Sequence, residues 1–182
     1  KQLFLVGSCP SEVIKLDLSR AAERLGAAHH PHCRVLNYSV SGIETTFTEG
    51  EDTCLAALVP ELPETEAPGL LVAGALAEIV EDQFARLFAE LDIPVGFLPP
   101  RRAGDLPAVG PNTKILLAQP FLPETCRLLE ARGAQLLEAP YPLGAEGTTA
   151  WLRAASEAFR IPEPRFRKVT DAPRARAEAA VA

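Results

Sequence analysis

A cysteine that could bind a metal follows the first apolar run of the chain. The run Leu3–Val6 fits a strand buried on both faces, and a glycine–serine pair ends it. Pro10 and Glu12 suit the first turn of a helix, where proline removes no hydrogen bond and a carboxylate meets the positive end of the helix dipole. We therefore place Cys9 between the C-terminal end of a strand and the N-terminus of a helix.

The position of Cys9 leaves two interpretations open. Ligands of open parallel sheets bind at the edge where the strands end, and a helix N-terminus favours thiolate, the form that binds metals. A single cysteine in an apolar setting is more often an inert core residue. Iron–sulfur clusters need several thiolates, and the chain has no C-x-x-C or similar spacing. The residues alone make Cys9 a candidate ligand and no more.

The loop Ile43–Gly50 should lie at the same edge, because it follows the second predicted strand. Its hydroxyl groups could bind a cofactor or partner, or they could cap the helix that begins near Gly50. Local chemistry favours capping.

Three histidines and a cysteine invite a second metal hypothesis. They surround Pro31 in a helix-to-strand connection, and adjacent ligands rarely close a tetrahedral site without further partners. We favour a solvated loop for this group, which comprises His29, His30, His32 and Cys33.

Several other residues that resemble functional groups have simpler structural interpretations. An acidic cluster fits the start of a helix, an arginine pair fits an exposed loop, and two cysteines and the single tryptophan fit the core. These residues are Glu78, Glu81, Asp82, Arg101, Arg102, Cys54, Cys126 and Trp151.

Composition narrows the class of protein. The chain has 182 residues, is 47% hydrophobic and carries a net charge of −6, which argues against a general nucleic-acid binder. No apolar run approaches the roughly 20 residues of a membrane span, and no secretory signal is visible. Four widely scattered cysteines suggest reduced thiols in a cytosol-like compartment. Because the chain starts at Lys1 and contains no Met, we expect it to be a segment of a longer protein.

The elements that must position Cys9 alternate between strand and helix. This pattern predicts an α/β fold, with a Rossmann-like, mostly parallel sheet and helices on both faces. The predicted strands are Leu3–Val6, Arg34–Val40, Gly69–Ala75, Pro94–Leu98, Lys114–Ala118 and Gln135–Ala139. The predicted helices are Pro10–Leu25 (divided or kinked near Leu16–Leu18), Gly50–Val59, Ala77–Leu91, Pro120–Arg132, Gly144–Arg160 and Arg174–Ala182.

Two units are expected in this chain. Residues 1–161 form the Rossmann-like domain, and residues 162–182 form a linker over Pro162–Pro173 and a helix that leads to a further domain. The chain has no G-x-x-x-x-G-K-[ST] loop, so any ATP-driven chemistry must use a partner's nucleotide site.

Five segments carry a resemblance to a known family. They are LFLVGSCPSEVIKLDL at Leu3–Leu18, NYSVSGIETTFTEGEDTCLAALV at Asn37–Val59, VEDQ at Val80–Gln83, LPAVGPNTKILLAQP at Leu106–Pro120 and APYPLGAEGTTAWLRAA at Ala139–Ala155. In this order and spacing the chain closely resembles the N subunits of light-independent protochlorophyllide reductases, which are nitrogenase-like enzymes. Two positions depart from the expected pattern: Val40 stands where we expect Gly, and Glu49 where we expect Gln.

The resemblance implies a role in chlorophyll and bacteriochlorophyll biosynthesis. In this family the cysteine of the GSCPSEV segment, here Cys9, is one ligand of a 4Fe–4S cluster. Two further cysteines come from upstream in the same subunit, and an aspartate comes from the B subunit. The N and B subunits form a heterotetramer, in the bacterial cytoplasm or the chloroplast stroma. An iron–sulfur L protein uses ATP and Mg to deliver electrons, and the D-ring double bond of protochlorophyllide is reduced to give chlorophyllide a.

The resemblance also implies that this segment alone holds no intact cluster. Two other interpretations stay open. The chain could belong to a related tetrapyrrole reductase, such as chlorophyllide reductase. It could also be a non-catalytic Rossmann-like binding or scaffold domain in which Cys9 is merely buried.

Overall fold

The computed structural model describes residues 2–38, 46–102 and 104–181. Its strands are β1 (Gln2–Val6), β2 (Arg34–Tyr38), β3 (Gly69–Ala73), β4 (Val95–Leu98), β5 (Thr113–Leu117) and β6 (Gln135–Leu136). Its helices are α1 (Cys9–Val13), α2 (Leu18–His29), α3 (Phe47–Leu58), α4 (Glu78–Glu90), α5 (Pro123–Ala131), α6 (Gly144–Ala158) and α7 (Glu163–Val181). A short 3-10 turn, Val59–Glu61, follows α3.

Every strand pairing is parallel, which confirms the predicted α/β class. Within the described residues the strands form two hydrogen-bonded sheets, where the sequence analysis expected one. One sheet holds β1 and β2, and the other has the order β4-β3-β5-β6. The two sheets meet through side chains instead of a shared ladder: Phe4 and Leu36 pack against a core cluster that also contains Leu55 of α3 and Leu71 of β3.

The four-stranded sheet is buried on both faces, which suits its central strand β3 because that strand is a continuous apolar run. Side chains alternate between the faces along β3. Leu71 and Ala73 enter a core cluster with residues of α3 and α5. Leu70 and Val72 enter a second cluster with residues of α4, α6 and α7. The helices of this half therefore cover both sides of one sheet.

Trp151 of α6 is fully buried at the centre of the second cluster. Its ring lies 4.7 Å from the ring of Phe84 and 5.6 Å from that of Phe88, measured between centroids. Its Nε1 donates a 2.6 Å hydrogen bond to the carbonyl oxygen of Leu117. The prediction that this tryptophan serves core packing is confirmed.

The predicted linker over Pro162–Pro173 is wrong. Helix α7 begins at Glu163 and runs through this stretch, with Pro164 in its first turn, where proline is tolerated. Phe166 and Val169 lie three residues apart on one face and are buried in the second core cluster, so tertiary packing overrides the proline signal. A further domain beyond this helix stays a prediction.

The division of the first predicted helix is confirmed. Helix α1 ends at Val13, Lys15 adopts a left-handed backbone with φ of 51°, and α2 begins at Leu18. Asp17 caps α2 by accepting a 2.9 Å hydrogen bond from the backbone nitrogen of Arg20. None of the described helices is long and apolar enough to cross a membrane.

Candidate functional site

The turn that carries Cys9 leaves the C-terminal end of β1. The backbone nitrogen of Gly7 donates a 2.9 Å hydrogen bond to the carbonyl oxygen of Tyr38, so the ends of β1 and β2 are in register. The C-terminal end of β2 therefore lies at the same edge as the Cys9 turn. Residues 39–45, which include Val40 and the first part of the Ile43–Gly50 loop, lie outside the described residues.

Two serines hold this turn. Ser8 is the extended residue before α1, and its backbone nitrogen donates a 2.7 Å hydrogen bond to the Ser11 hydroxyl oxygen. The same hydroxyl donates a 2.7 Å hydrogen bond to the carbonyl oxygen of Ser8. Cys9 is the first residue of α1 and is exposed, so its thiol can be reached from outside the chain.

Helix α3 is the next element after β2 in the described residues, and it begins at Phe47. Thr46 caps the helix: its Oγ1 accepts a 3.3 Å hydrogen bond from the backbone nitrogen of Glu49, whose carboxylate accepts a 2.7 Å bond from the Thr46 nitrogen. The hydrogen bonds that the Thr46 nitrogen and the Thr46 hydroxyl donate to this carboxylate lower the pKa of Glu49. The capping interpretation of the loop hydroxyls is confirmed at Thr46, although α3 begins at Phe47 instead of near Gly50. Glu49 fits the capping-box pattern directly.

Tyr38 connects the end of β2 to α3. Its hydroxyl donates a hydrogen bond to the carbonyl oxygen of Gly50 in α3. Its ring meets the ring of Phe4 edge-on, with centroids 6.5 Å apart. Burial, with smaller contributions from Cys54 and Glu51, raises the pKa of Tyr38 above its usual value. This tyrosine therefore stays a neutral hydrogen-bond donor that ties β2 to α3.

The four cysteines differ in how readily they could bind a metal. Burial raises the pKa of the Cys126 thiol to about 11, with help from Glu130 and Asp52, and also raises that of the half-buried Cys54. Both therefore favour the neutral thiol, which is a poor ligand. The structural interpretation of Cys126 is confirmed by its burial, and Cys54 is only partly buried.

Cys9 could supply one ligand of a metal centre. Across residues 2–38, 46–102 and 104–181, no group of three or more His, Cys, Asp or Glu side chains could hold a metal ion. A soft thiolate on an exposed, hydrogen-bonded turn fits an iron–sulfur cluster as a single ligand, provided other chain segments complete the site. Within the same residues the histidine-rich connection forms no such group either.

The acidic and basic groups near α4 pair with each other. Arg101 forms ion pairs of 2.8 Å with the carboxylates of Glu81 and Asp82, and donates a 2.7 Å hydrogen bond to the Glu78 carbonyl oxygen. The acidic residues lie in the first turns of α4, as predicted. Their charges are used within the chain, which gives them a structural role.

Sequence analysis missed one buried carboxylate, Asp52 of α3. It accepts hydrogen bonds from the backbone nitrogens of Glu124 (2.9 Å) and Thr125 (2.8 Å) and from the Thr125 hydroxyl (2.6 Å). Helix α5 begins after Leu122, which provides no side-chain cap, so Asp52 caps it from another helix. The available signals were an acidic residue inside an apolar helix and a helix start without a capping side chain.

Comparisons with known proteins cover the whole chain. The family of nitrogenase component 1 type oxidoreductases matches residues 1–182. A light-independent protochlorophyllide reductase subunit N from Rhodopseudomonas palustris strain BisB5 is 65% identical over an alignment of 185 residues, which covers 100% of this chain and 43% of that protein. The corresponding subunit from Rubrivivax gelatinosus is 61% identical and is covered to the same extents. The chain thus spans less than half the length of these relatives.

A solved structure supports the fold. Nitrogenase Cp1 at pH 6.5 superimposes with a TM-score of 0.68 and 20% sequence identity, over 90% of this chain and 42% of the other. At this identity the likeness concerns the fold alone.

Proposed function

The chain belongs to the nitrogenase component 1 type oxidoreductases, and from this premise we propose that it is a segment of the catalytic component of a light-independent protochlorophyllide reductase. The observation that carries the proposal is the identity of 61% to 65% with subunit N relatives along the entire chain. The whole enzyme would reduce the D-ring double bond of protochlorophyllide to give chlorophyllide a. A related reductase of another tetrapyrrole, such as chlorophyllide, is the alternative within the family.

In the proposed enzyme Cys9 is one ligand of a 4Fe–4S cluster. Its exposed thiol at the end of a parallel strand supports this role, because a shared cluster needs a ligand that other segments can approach. The cluster would supply one-electron transfer when bound. The remaining ligands would come from upstream in the subunit and from the B subunit. ATP and Mg would be used by the iron–sulfur L protein that donates the electrons.

The residues around Cys9 would position its sulfur atom. The two hydrogen bonds of the Ser11 hydroxyl with Ser8 restrain the turn, and the Gly7–Tyr38 bond aligns it with the end of β2. Tyr38 then ties that edge to α3. Ligand orientation by hydrogen-bonded neighbours is what sets the properties of a metal site beyond the ligands themselves.

The proposal is tested in the full-length subunit purified with its B partner under anaerobic conditions. We expect Cys9→Ala to lose or alter the reduced-state EPR signal and to lower the iron content, while the complex still assembles. Cys33→Ala is the matched control, since Cys33 is also a free, partly accessible thiol but lies in the α2–β2 connection. It should keep both the signal and the iron.

Unchanged iron, spectrum and pigment reduction in Cys9→Ala would contradict the ligand role and favour a buried or scaffold role for this segment. Assays with protochlorophyllide and with chlorophyllide as substrates then distinguish the proposed protochlorophyllide reductase from the related tetrapyrrole reductase. Turnover of chlorophyllide alone would overturn the proposed substrate and retain the proposed family chemistry.

A further inference from the structure

The four-stranded sheet reverses its strand order between β3 and β5. From β3 the chain passes through α4 to β4 on one side, and from β5 it passes through α5 to β6 on the other side. Residues of α4 and α5 accordingly enter different core clusters, on opposite faces of the sheet. At such a point the two helices diverge and leave a crevice outside the carboxyl ends of the strands, where open α/β sheets bind ligands.

The turns that follow β3 and β5 meet at this crevice. Gly74 has a left-handed backbone with φ of 127°, and a Cβ added there would come within 2.9 Å of the Cγ atom of Gln119. Further along the second turn, Phe121 adopts a φ of 70°. A bulky residue is strained in this backbone region, whereas glycine is not, and strain of this kind clusters at functional sites.

The ring of Phe121 lies outside the core of the chain. Its side chain is 65% exposed, while that of the next residue, Leu122, is 2% exposed. Beyond Phe47, the exposed large apolar side chains of the described residues all lie in or next to the first turns of α4, α5 and α6, at the carboxyl edge of the four-stranded sheet. They are Ile79, Val80, Phe121 and Leu143. Apolar side chains gathered at one edge of a sheet indicate a binding surface.

We propose that Phe121 contacts the substrate of the enzyme, with its ring packed against the tetrapyrrole macrocycle. This inference rests on the proposed function, which supplies the class of substrate. A tetrapyrrole is a large, flat and mainly apolar ring, and it suits an exposed aromatic side chain with further apolar side chains at the same edge. The strained backbone at Phe121 then serves binding and not stability.

Pigment binding without turnover tests the contact. The full-length subunit with its B partner is titrated anaerobically with protochlorophyllide in the absence of the L protein and ATP, and the dissociation constant is obtained from pigment fluorescence. We expect Phe121→Gly to weaken binding about tenfold because the ring is lost, while Phe121→Tyr, which keeps the ring, stays within about twofold. Leu25→Ala is the control and should bind as the unsubstituted complex does, since Leu25 is an exposed apolar residue of α2.

Thermal unfolding distinguishes substrate contact from packing. Glycine adopts a φ of 70° without steric cost, so Phe121→Gly should not lower the melting temperature of the complex or change its reduced-state EPR signal. A lowered melting temperature with unchanged pigment binding would overturn the proposal, because another protein segment would then cover Phe121. Should Phe121→Gly fail to fold, Phe121→Asn takes its place, since asparagine also tolerates this backbone.

Failure of this contact can be told apart from failure of the proposed function. Equal pigment binding by the unsubstituted complex and by Phe121→Gly would overturn the contact alone. An unsubstituted complex that binds no protochlorophyllide would contradict the proposed function and, with it, the substrate assigned to Phe121.

Discussion

Strands β1 and β3 are both short apolar runs in parallel sheets, yet they have very different surroundings. Residues 70–73 of β3 are at most 3% exposed, whereas Val6 of β1 is 58% exposed. Seven of the eleven large apolar side chains that are exposed in the described residues lie between Leu3 and Phe47. The comparison shows that an apolar run predicts a strand whose two faces need cover. Whether both faces are covered depends on contacts with the rest of the chain.

The two halves also differ in what they contribute: one is stabilised by its own core, and the other carries the candidate ligand Cys9. The four-stranded half carries its own core on both faces, and of its two cysteines Cys126 is buried and Cys54 is partly buried. The two-stranded half holds the exposed cysteine and the apolar surface around it. A cluster ligand that several chain segments share, as we propose for Cys9, would have to be exposed in this way.

The largest effect should come from the centre of the four-stranded half. Trp151→Ala removes a fully buried ring that packs on two phenylalanines, together with its hydrogen bond to Leu117. We expect a loss of about 3 to 5 kcal/mol in the free energy of unfolding of the 182-residue chain, measured by urea denaturation.

Val13→Ala is the matched change in the other half, because Val13 is 72% exposed. It should change the free energy of unfolding by about 0.5 kcal/mol or less. Similar losses for the two variants would break the comparison, since they would mean that the apolar surface near Cys9 is already covered within this chain.

A smaller effect is expected in thiol chemistry. With its pKa raised from 9.0 to about 11, Cys126 holds about a hundredfold less thiolate near neutral pH than an unperturbed thiol. We expect iodoacetamide to modify Cys9 first, because it is exposed, while modification of Cys126 should still be rising with pH as the pH passes about 11. Mass spectrometry of the folded chain over a pH series measures the order. Cys126 reacting as early as Cys9 would show that the four-stranded half opens readily.

The smallest of the three effects concerns the contact between α3 and α5, two helices of the four-stranded half. Asp52→Asn replaces one of the two carboxylate oxygens that cap α5 with a donor, and it should cost about 1 to 2 kcal/mol in the free energy of unfolding because a buried backbone N–H then loses its acceptor. Asp105→Asn, at an exposed loop position, is the control and should be nearly silent. No difference between the variants would show that the cap does not contribute to joining α3 and α5.

Sequence analysis predicted some elements of the fold and missed others. Strands such as Gly69–Ala73 were predictable because continuous apolar runs suit a sheet covered on both faces. The separation into two sheets was not, because strand pairing depends on contacts between distant residues. The helix over Glu163–Val181 was obscured by prolines whose cost is offset by the burial of Phe166 and Val169.

The candidate site was predictable in position more than in detail. The strand-to-helix turn placed Cys9 at a sheet edge from local signals alone. Tyr38 was beyond local analysis, because it reaches that edge only through the pairing of β1 with β2. The Asp52 cap joins residues 73 positions apart, and no local pattern contains both ends.

That long separation has a consequence for the growing chain during synthesis. Thr125 is translated 73 residues after Asp52, an interval of about 4 to 15 seconds at typical elongation rates. Until α5 emerges from the ribosome, the carboxylate of Asp52 cannot accept hydrogen bonds from the backbone of α5, and it stays hydrated. Helix α3 can therefore complete its contact with α5 only after that interval.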